Sequence, residues 1–135
     1  MKELSVREHL DSCLEIASAA TSSEETGNPI YPPARKTLSA HGIPFGKHSA
    51  RKMTMSDYYY YDMIIAMDDE NLWGINRITG NDPEGKVSLL MDYTERPGNV
   101  SDPWYTRDFE TTWRDVDEGC RALIRYVRLK LKSGV

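Results

Sequence analysis

Asp102-Pro103-Trp104-Tyr105 is the stretch of this 135-residue chain whose residue types could do chemistry. Asp-Pro forms turns, and two aromatics directly after it place a carboxylic acid at a rigid corner beside a flat apolar wall, an arrangement suited to protonating an aryl leaving group. A complete site for displacing such a group from phosphorus also needs a nucleophile. A cysteine serves best when its thiolate sits in a loop of backbone N–H groups with an arginine to clamp the phosphoryl oxygens. Cys13 and Cys120 are the two cysteines. Six residues after Cys13 stands Ala19, and six after Cys120 stands Tyr126, so neither opens a Cys-x5-Arg loop.

Composition narrows the classes. A single domain of 135 residues with 39% apolar content can bury one core, and one domain spanning 1–135 is expected. A net charge of −4 without a Lys/Arg run excludes a nucleic-acid binder. The run Met63–Met67 is too short to span a bilayer, and Met1-Lys2-Glu3-Leu4-Ser5 lacks a signal-peptide pattern, so no membrane partner and a cytoplasmic location are expected. Neither cysteine belongs to a disulfide or zinc pattern, and both read as small buried hydrophobes. No cofactor and no metal are expected: Asp68-Asp69, the pair that invites a metal reading, is explained by a helix start.

Short apolar runs alternate with amphipathic segments, which predicts an α/β domain with a parallel sheet. Lys2–Asp11 reads as a helix without an N-cap residue, with Glu3 four residues before Arg7. Glu15–Ala20 reads as a strand. Pro32-Pro33 starts the next helix and Gly42 ends it. Thr54 with Asp57 predicts a capped helix through about Tyr61, in which the Tyr58–Tyr61 run is an amphipathic end. Met63–Met67 reads as a buried strand, Asp68-Asp69-Glu70 as the start of a further helix, Val87–Met91 as a third strand and Thr94–Tyr105 as a loop. Phe109, Trp113, Val116, Cys120, Leu123, Val127 and Leu131 recur at helical steps. Asp108, Glu110 and Asp115 fall early in that helix and Arg121, Arg125, Arg128, Lys130 and Lys132 late, matching the macrodipole.

Ile16–Ser22 with Gly27-Asn28-Pro29, Pro32-Pro33-Ala34-Arg35, His41-Gly42-Ile43, Ala50–Thr54, Tyr61–Asp68 with Asn71-Leu72, and Asp102–Tyr105 with Asp108–Thr111 resemble, in this order and spacing, the low-molecular-weight protein tyrosine phosphatases. The resemblance runs from about residue 2 onward. It implies a flavodoxin-like parallel sheet with flanking helices, hydrolysis of phosphotyrosine proteins or aryl phosphates through a phosphocysteine, and no cofactor. Asp102 would be the general acid and then the base that activates water. Trp104 and Tyr105 would form the wall for the phosphotyrosine ring, and Ser18 and His48 would support the phosphate loop. Met1 falls inside the family's first helix, so the family's inner first strand and its Cys-x5-Arg loop have no counterpart in residues 1–135. An N-terminally truncated, inactive form is expected. The alternatives are a non-catalytic binding or assembly module and, further off, an arsenate reductase. An absent inner strand would leave two strand edges unpaired, each buried group costing about 1–3 kcal/mol, so assembly of a homo-oligomer through open strand edges is expected.

Overall fold

The computed structural model describes residues 1–10, 12–21, 32–43, 51–101 and 108–132. In chain order these form α1 (Lys2–Arg7), α2 (Pro32–Ala40), α3 (Met55–Tyr60), β1 (Ile64–Ala66), α4 (Asp69–Thr79), β2 (Val87–Leu89), a 3₁₀ turn (Leu90–Tyr93) and α5 (Phe109–Lys132). This is the α/β organisation with a parallel sheet that the alternating pattern predicts. The chain divides into two compact units, Ser18–Leu89 and Met1–Ala17 with Leu90–Val135.

In the first unit β1 and β2 pair in parallel, with Ile64 opposite Val87 and Ala66 opposite Leu89. Helix α4 connects them. Asp68 caps it by accepting the Asn71 N–H at 2.8 Å, and Gly80 closes it in the left-handed conformation. Leu72, Ile75 and Ile78 face inward at three-residue steps and join Met53, Tyr58, Ala66 and Leu89 in a core. Trp73 on the opposite face is exposed and carries the Arg77 guanidinium over its ring at 4.7 Å. Thr54 and Asp57 form the expected capping box at the start of α3.

Tyr58 is fully buried while Tyr59 and Tyr60 are exposed, as in an amphipathic helix end, and Tyr58 pins the turn before β2. Its hydroxyl donates to Asp82 Oδ1 at 2.6 Å and accepts from the Glu84 N–H at 2.8 Å. Asp82 in turn accepts the N–H groups of Lys86 at 2.8 Å and Val87 at 3.1 Å. Asn81 and Asp82 both take positive φ, which short polar side chains tolerate best after glycine. Burial and the Asp82 carboxylate push the Tyr58 phenol up; burial also works to raise the Asp82 carboxyl, but the Tyr58 hydroxyl and the surrounding N–H groups hold it below the usual range.

Two expected strands are corrected. Glu15–Ala20 forms no strand: Ala20 alone makes a parallel bridge to Lys52, donating its N–H to the Arg51 carbonyl at 2.7 Å and accepting from Met53 N–H at 2.8 Å. Glu15, Ala17, Ser18 and Ala19 are exposed, so the segment lacks the covered face that makes a strand worth forming. Val87–Met91 stops pairing at Leu89, because Leu90 and Met91 turn into the 3₁₀ segment to bury their side chains. α1 likewise ends at Arg7, four residues short of the expected Asp11, where the chain turns through His9 with φ 59°. The Glu3–Arg7 pair forms at 3.2 Å.

The second unit is built on α5. Leu4, Leu90, Met91, Val100, Cys120, Ala122, Leu123 and Ile124 are its buried apolar residues, and Arg128 bonds Glu8 at the end of α1. That guanidinium holds the Glu8 carboxyl below its usual range. Leu90 lies so close to Gly119 that a Cβ there would stand 2.5 Å from Leu90 Cγ. Alanine at 119 gains about 1 kcal/mol of helix propensity, and overpacking against a fully buried leucine costs about 1–3 kcal/mol. Gly119→Ala is therefore expected to destabilise the chain by about 1 kcal/mol in urea unfolding, and Leu90→Ala in the same chain should remove that increment. A stabilised Gly119→Ala would show that Leu90 moves aside freely.

Candidate functional site

Of the residues expected to form a site, Ser18 alone lies among the described residues; His48, Asp102, Trp104 and Tyr105 lie outside them. Ser18 is exposed, two residues before the Ala20 bridge. What the structure does describe is both flanks of the segment that carries Asp102.

On the near flank, the 3₁₀ turn continues into an irregular stretch organised by Thr94, whose hydroxyl donates to the Met91 carbonyl at 2.6 Å and accepts the Arg96 N–H at 3.0 Å. Arg96 then reaches α5, bonding Asp115 at 3.1 Å and pairing with Glu118. Ser101 donates its N–H to Asp115 Oδ2 at 2.9 Å, and its carbonyl accepts from the Thr112 hydroxyl at 2.8 Å. On the far flank, Asp108 caps α5: Oδ1 accepts the Thr111 N–H at 3.1 Å and Oδ2 the Thr111 hydroxyl. The Thr111 hydroxyl and N–H hold the Asp108 carboxyl below its usual range.

The cysteines are placed apart in kind. Cys120 is buried within α5, and burial pushes its thiol up. Cys13 is exposed in the turn after α1, its N–H donated to the Leu10 carbonyl at 2.9 Å. Arg51, inside one of the stretches that carry the family resemblance, is bound to Asp57 through both terminal nitrogens at 2.9 and 3.1 Å. Among the described residues no group of three or more His, Cys, Asp and Glu side chains is placed to hold a metal, and no helix is long and apolar enough to cross a membrane.

Asp115 is a structural acceptor that the sequence pattern does not announce. Its early place in α5 suits the helix dipole, yet it is buried and turned toward the Ser101 backbone. An early acidic residue spaced for the helix interior is the one available signal, because every other acid of that first stretch can remain in water.

Residues 1–133 match the model of the low molecular weight phosphotyrosine protein phosphatase family. A low molecular weight protein-tyrosine-phosphatase of Bacillus subtilis, YfkJ, is 29% identical over 94% of this chain and 83% of that protein. The human low molecular weight phosphotyrosine protein phosphatase is 35% identical over 81% of this chain and 72% of its own length. In structure, YfkJ superposes with a TM-score of 0.90 over 96% of this chain and 82% of that one, at 28% identity. A protein tyrosine phosphatase of Entamoeba histolytica gives 0.84 over 98% and 85%, at 25% identity. The chain belongs to the low molecular weight phosphotyrosine protein phosphatase family.

The lowered Asp108 carboxyl has a consequence for acid stability. A carboxyl depressed in the folded state contributes stability above its unfolded value near 3.9, and that contribution is lost as the pH falls through the lower folded value. The helical signal of α5 is expected to weaken below about pH 4, and Asp108→Asn, which keeps a cap acceptor without a titrating group, should show a smaller acid-induced loss in circular dichroism. Identical acid titrations of the two proteins would remove Asp108 from the account.

Proposed function

We propose that this chain carries the acid half of a phosphotyrosine phosphatase, and that residues 1–135 by themselves do not turn over. The observation that carries the reading is the placement of the cysteines. A nucleophilic cysteine needs a depressed thiol pKa and access to substrate, whereas Cys120 is buried with its thiol pushed up. Cys13 is exposed but is followed six residues on by Ala19, so no arginine closes a phosphate loop around it. A free, exposed thiol also suits the reducing cytoplasm, where we place the protein.

The chemistry follows once a Cys-x5-Arg strand and loop are supplied. The thiolate attacks phosphorus, the aryl P–O bond breaks, and the protonated Asp102 carboxyl gives its proton to the departing tyrosyl oxygen. Asp102, now ionised, takes a proton from water as that water attacks phosphorus; the S–P bond breaks, releasing phosphate and restoring the thiolate. Trp104 and Tyr105 stack on the substrate ring, and Ser18 and His48 support the loop. Residues 1–135 are expected to leave an aryl phosphate intact. Turnover abolished by Cys13→Ser or Cys120→Ser would sink that reading. Grafting a first strand with a Cys-x5-Arg loop onto residue 1 is expected to confer hydrolysis that Asp102→Ala slows by about 10²–10⁴.

A second reading, an assembly module, is favoured by the edge of β1. Ile65 presents its N–H and C=O on the side away from β2, and no described residue pairs with them. A second copy of the chain is the simplest source of a partner strand. Light scattering over a concentration range should then show a dimer, and a strictly monomeric species with native circular dichroism would dismiss it.

A further inference from the structure

We propose that Thr112 and Asp115 are positioning residues for the acid: together they fasten the segment carrying Asp102 to the first two turns of α5. The inference rests on the reading of Asp102 as the general acid, but its structural half stands on described residues alone.

The Thr112 hydroxyl donates to the Ser101 carbonyl at 2.8 Å and lies 3.4 Å from the Asp108 carbonyl. Ser101 and Asp108 bracket the segment. Fully extended, seven residue steps would span roughly 24 Å, yet one hydroxyl is within reach of both carbonyls, so Ser101 and Asp108 stand close together. The shorter contact takes the proton; the longer one is the weaker and only marks how close the ends are. Asp115 holds the same residue from its other side, accepting the Ser101 N–H at 2.9 Å on Oδ2 while Oδ1 accepts from Arg96 at 3.1 Å. Ser101 is thus bound at both its N–H and its C=O, one residue before Asp102.

The chemistry requires such a fixture. A general acid works within hydrogen-bond reach of the atom it protonates, and a displacement of about 1 Å costs on the order of 10²-fold in rate. An Asp-Pro corner sets the local turn but not its place relative to the rest of the molecule. A carboxylate at position 115 suits the task because its two oxygens serve two donors at once, and burial on the helix removes competing water. Arg96, exposed on its outer side and paired with Glu118 as well, keeps the buried Asp115 charge compensated.

The clamp is tested first on residues 1–135, by exchange of the Ser101 amide read by NMR. Thr112→Val, nearly isosteric, and Asp115→Ala are each expected to speed exchange there by about tenfold, with the α5 amides beyond Gly119 unchanged, and Thr112→Ser should restore the slow exchange. Unchanged exchange in both variants would overturn the clamp. Its service to Asp102 is read in the grafted form, through kcat/KM for two substrates. Thr112→Val and Asp115→Ala should lower kcat/KM for phenyl phosphate by about tenfold or more and alter that for 2,4-dinitrophenyl phosphate, whose leaving group needs no proton, by less than about twofold. Equal losses on both substrates mean a merely structural role and overturn the positioning. If Asp102→Ala itself fails to discriminate between the substrates, the assignment of the acid falls instead, while the exchange result still judges the clamp.

Discussion

Leu90 can lie on the backbone of α5 only because residue 119 carries no side chain, and the order of the second unit follows from that contact. With a Cβ at 119 the leucine would be displaced, and the 3₁₀ turn Leu90–Tyr93 would lose its seat on the helix. The turn sets where Met91 offers its carbonyl to Thr94, Thr94 sets Arg96, and Arg96 reaches Asp115. Glycine inside a helix usually weakens it by about 1 kcal/mol relative to alanine. Here that weakness is offset by close packing that a larger residue would forbid, and the stretch leading to Ser101 is aligned along one side of α5 as a result.

A thiol and a carboxylic acid make opposite demands on their surroundings. The thiolate wants N–H groups and a cation around it, as at a helix N-terminus or in a phosphate loop. Cys120 sits mid-helix among Ala122, Leu123 and Ile124, where burial favours the neutral thiol, so its environment suits packing rather than attack. The segment that carries Asp102 is instead bracketed by capped, hydrogen-bonded residues next to the start of a long helix.

Much of this was legible in the residues. The recurrence of Phe109, Trp113, Cys120 and Leu123 marked α5, and Thr54, Asp68 and Gly42 marked helix ends, because periodicity and capping are local properties. The stretch Asp102–Tyr105, with its companions, marked the family. Glu15–Ala20 failed because a strand is a pairing rather than a composition, and only Ala20 among those residues finds a ladder partner, at Lys52. The partners of Asp115 and Tyr58 were not legible for a related reason. Each is held by a segment distant in sequence, Asp115 by Arg96 and Ser101, Tyr58 by Asp82 and Glu84, and local pattern does not announce such partners.

The contacts that hold Arg96, Ser101 and Asp108 lie within residues 91–118. Thr94 bonds Met91, Thr111 bonds Asp108, Thr112 bonds Ser101, Ser101 bonds Asp115, and the longest reach is from Arg96 to Glu118. The entropy lost on closing such loops grows only slowly with their length, so the reach from Arg96 to Glu118 costs little more than that from Ser101 to Thr112. Both flanks of residues 102–107 are therefore fixed to one helix by that helix's own side chains, Thr112 and Asp115 at Ser101 and Thr111 at Asp108.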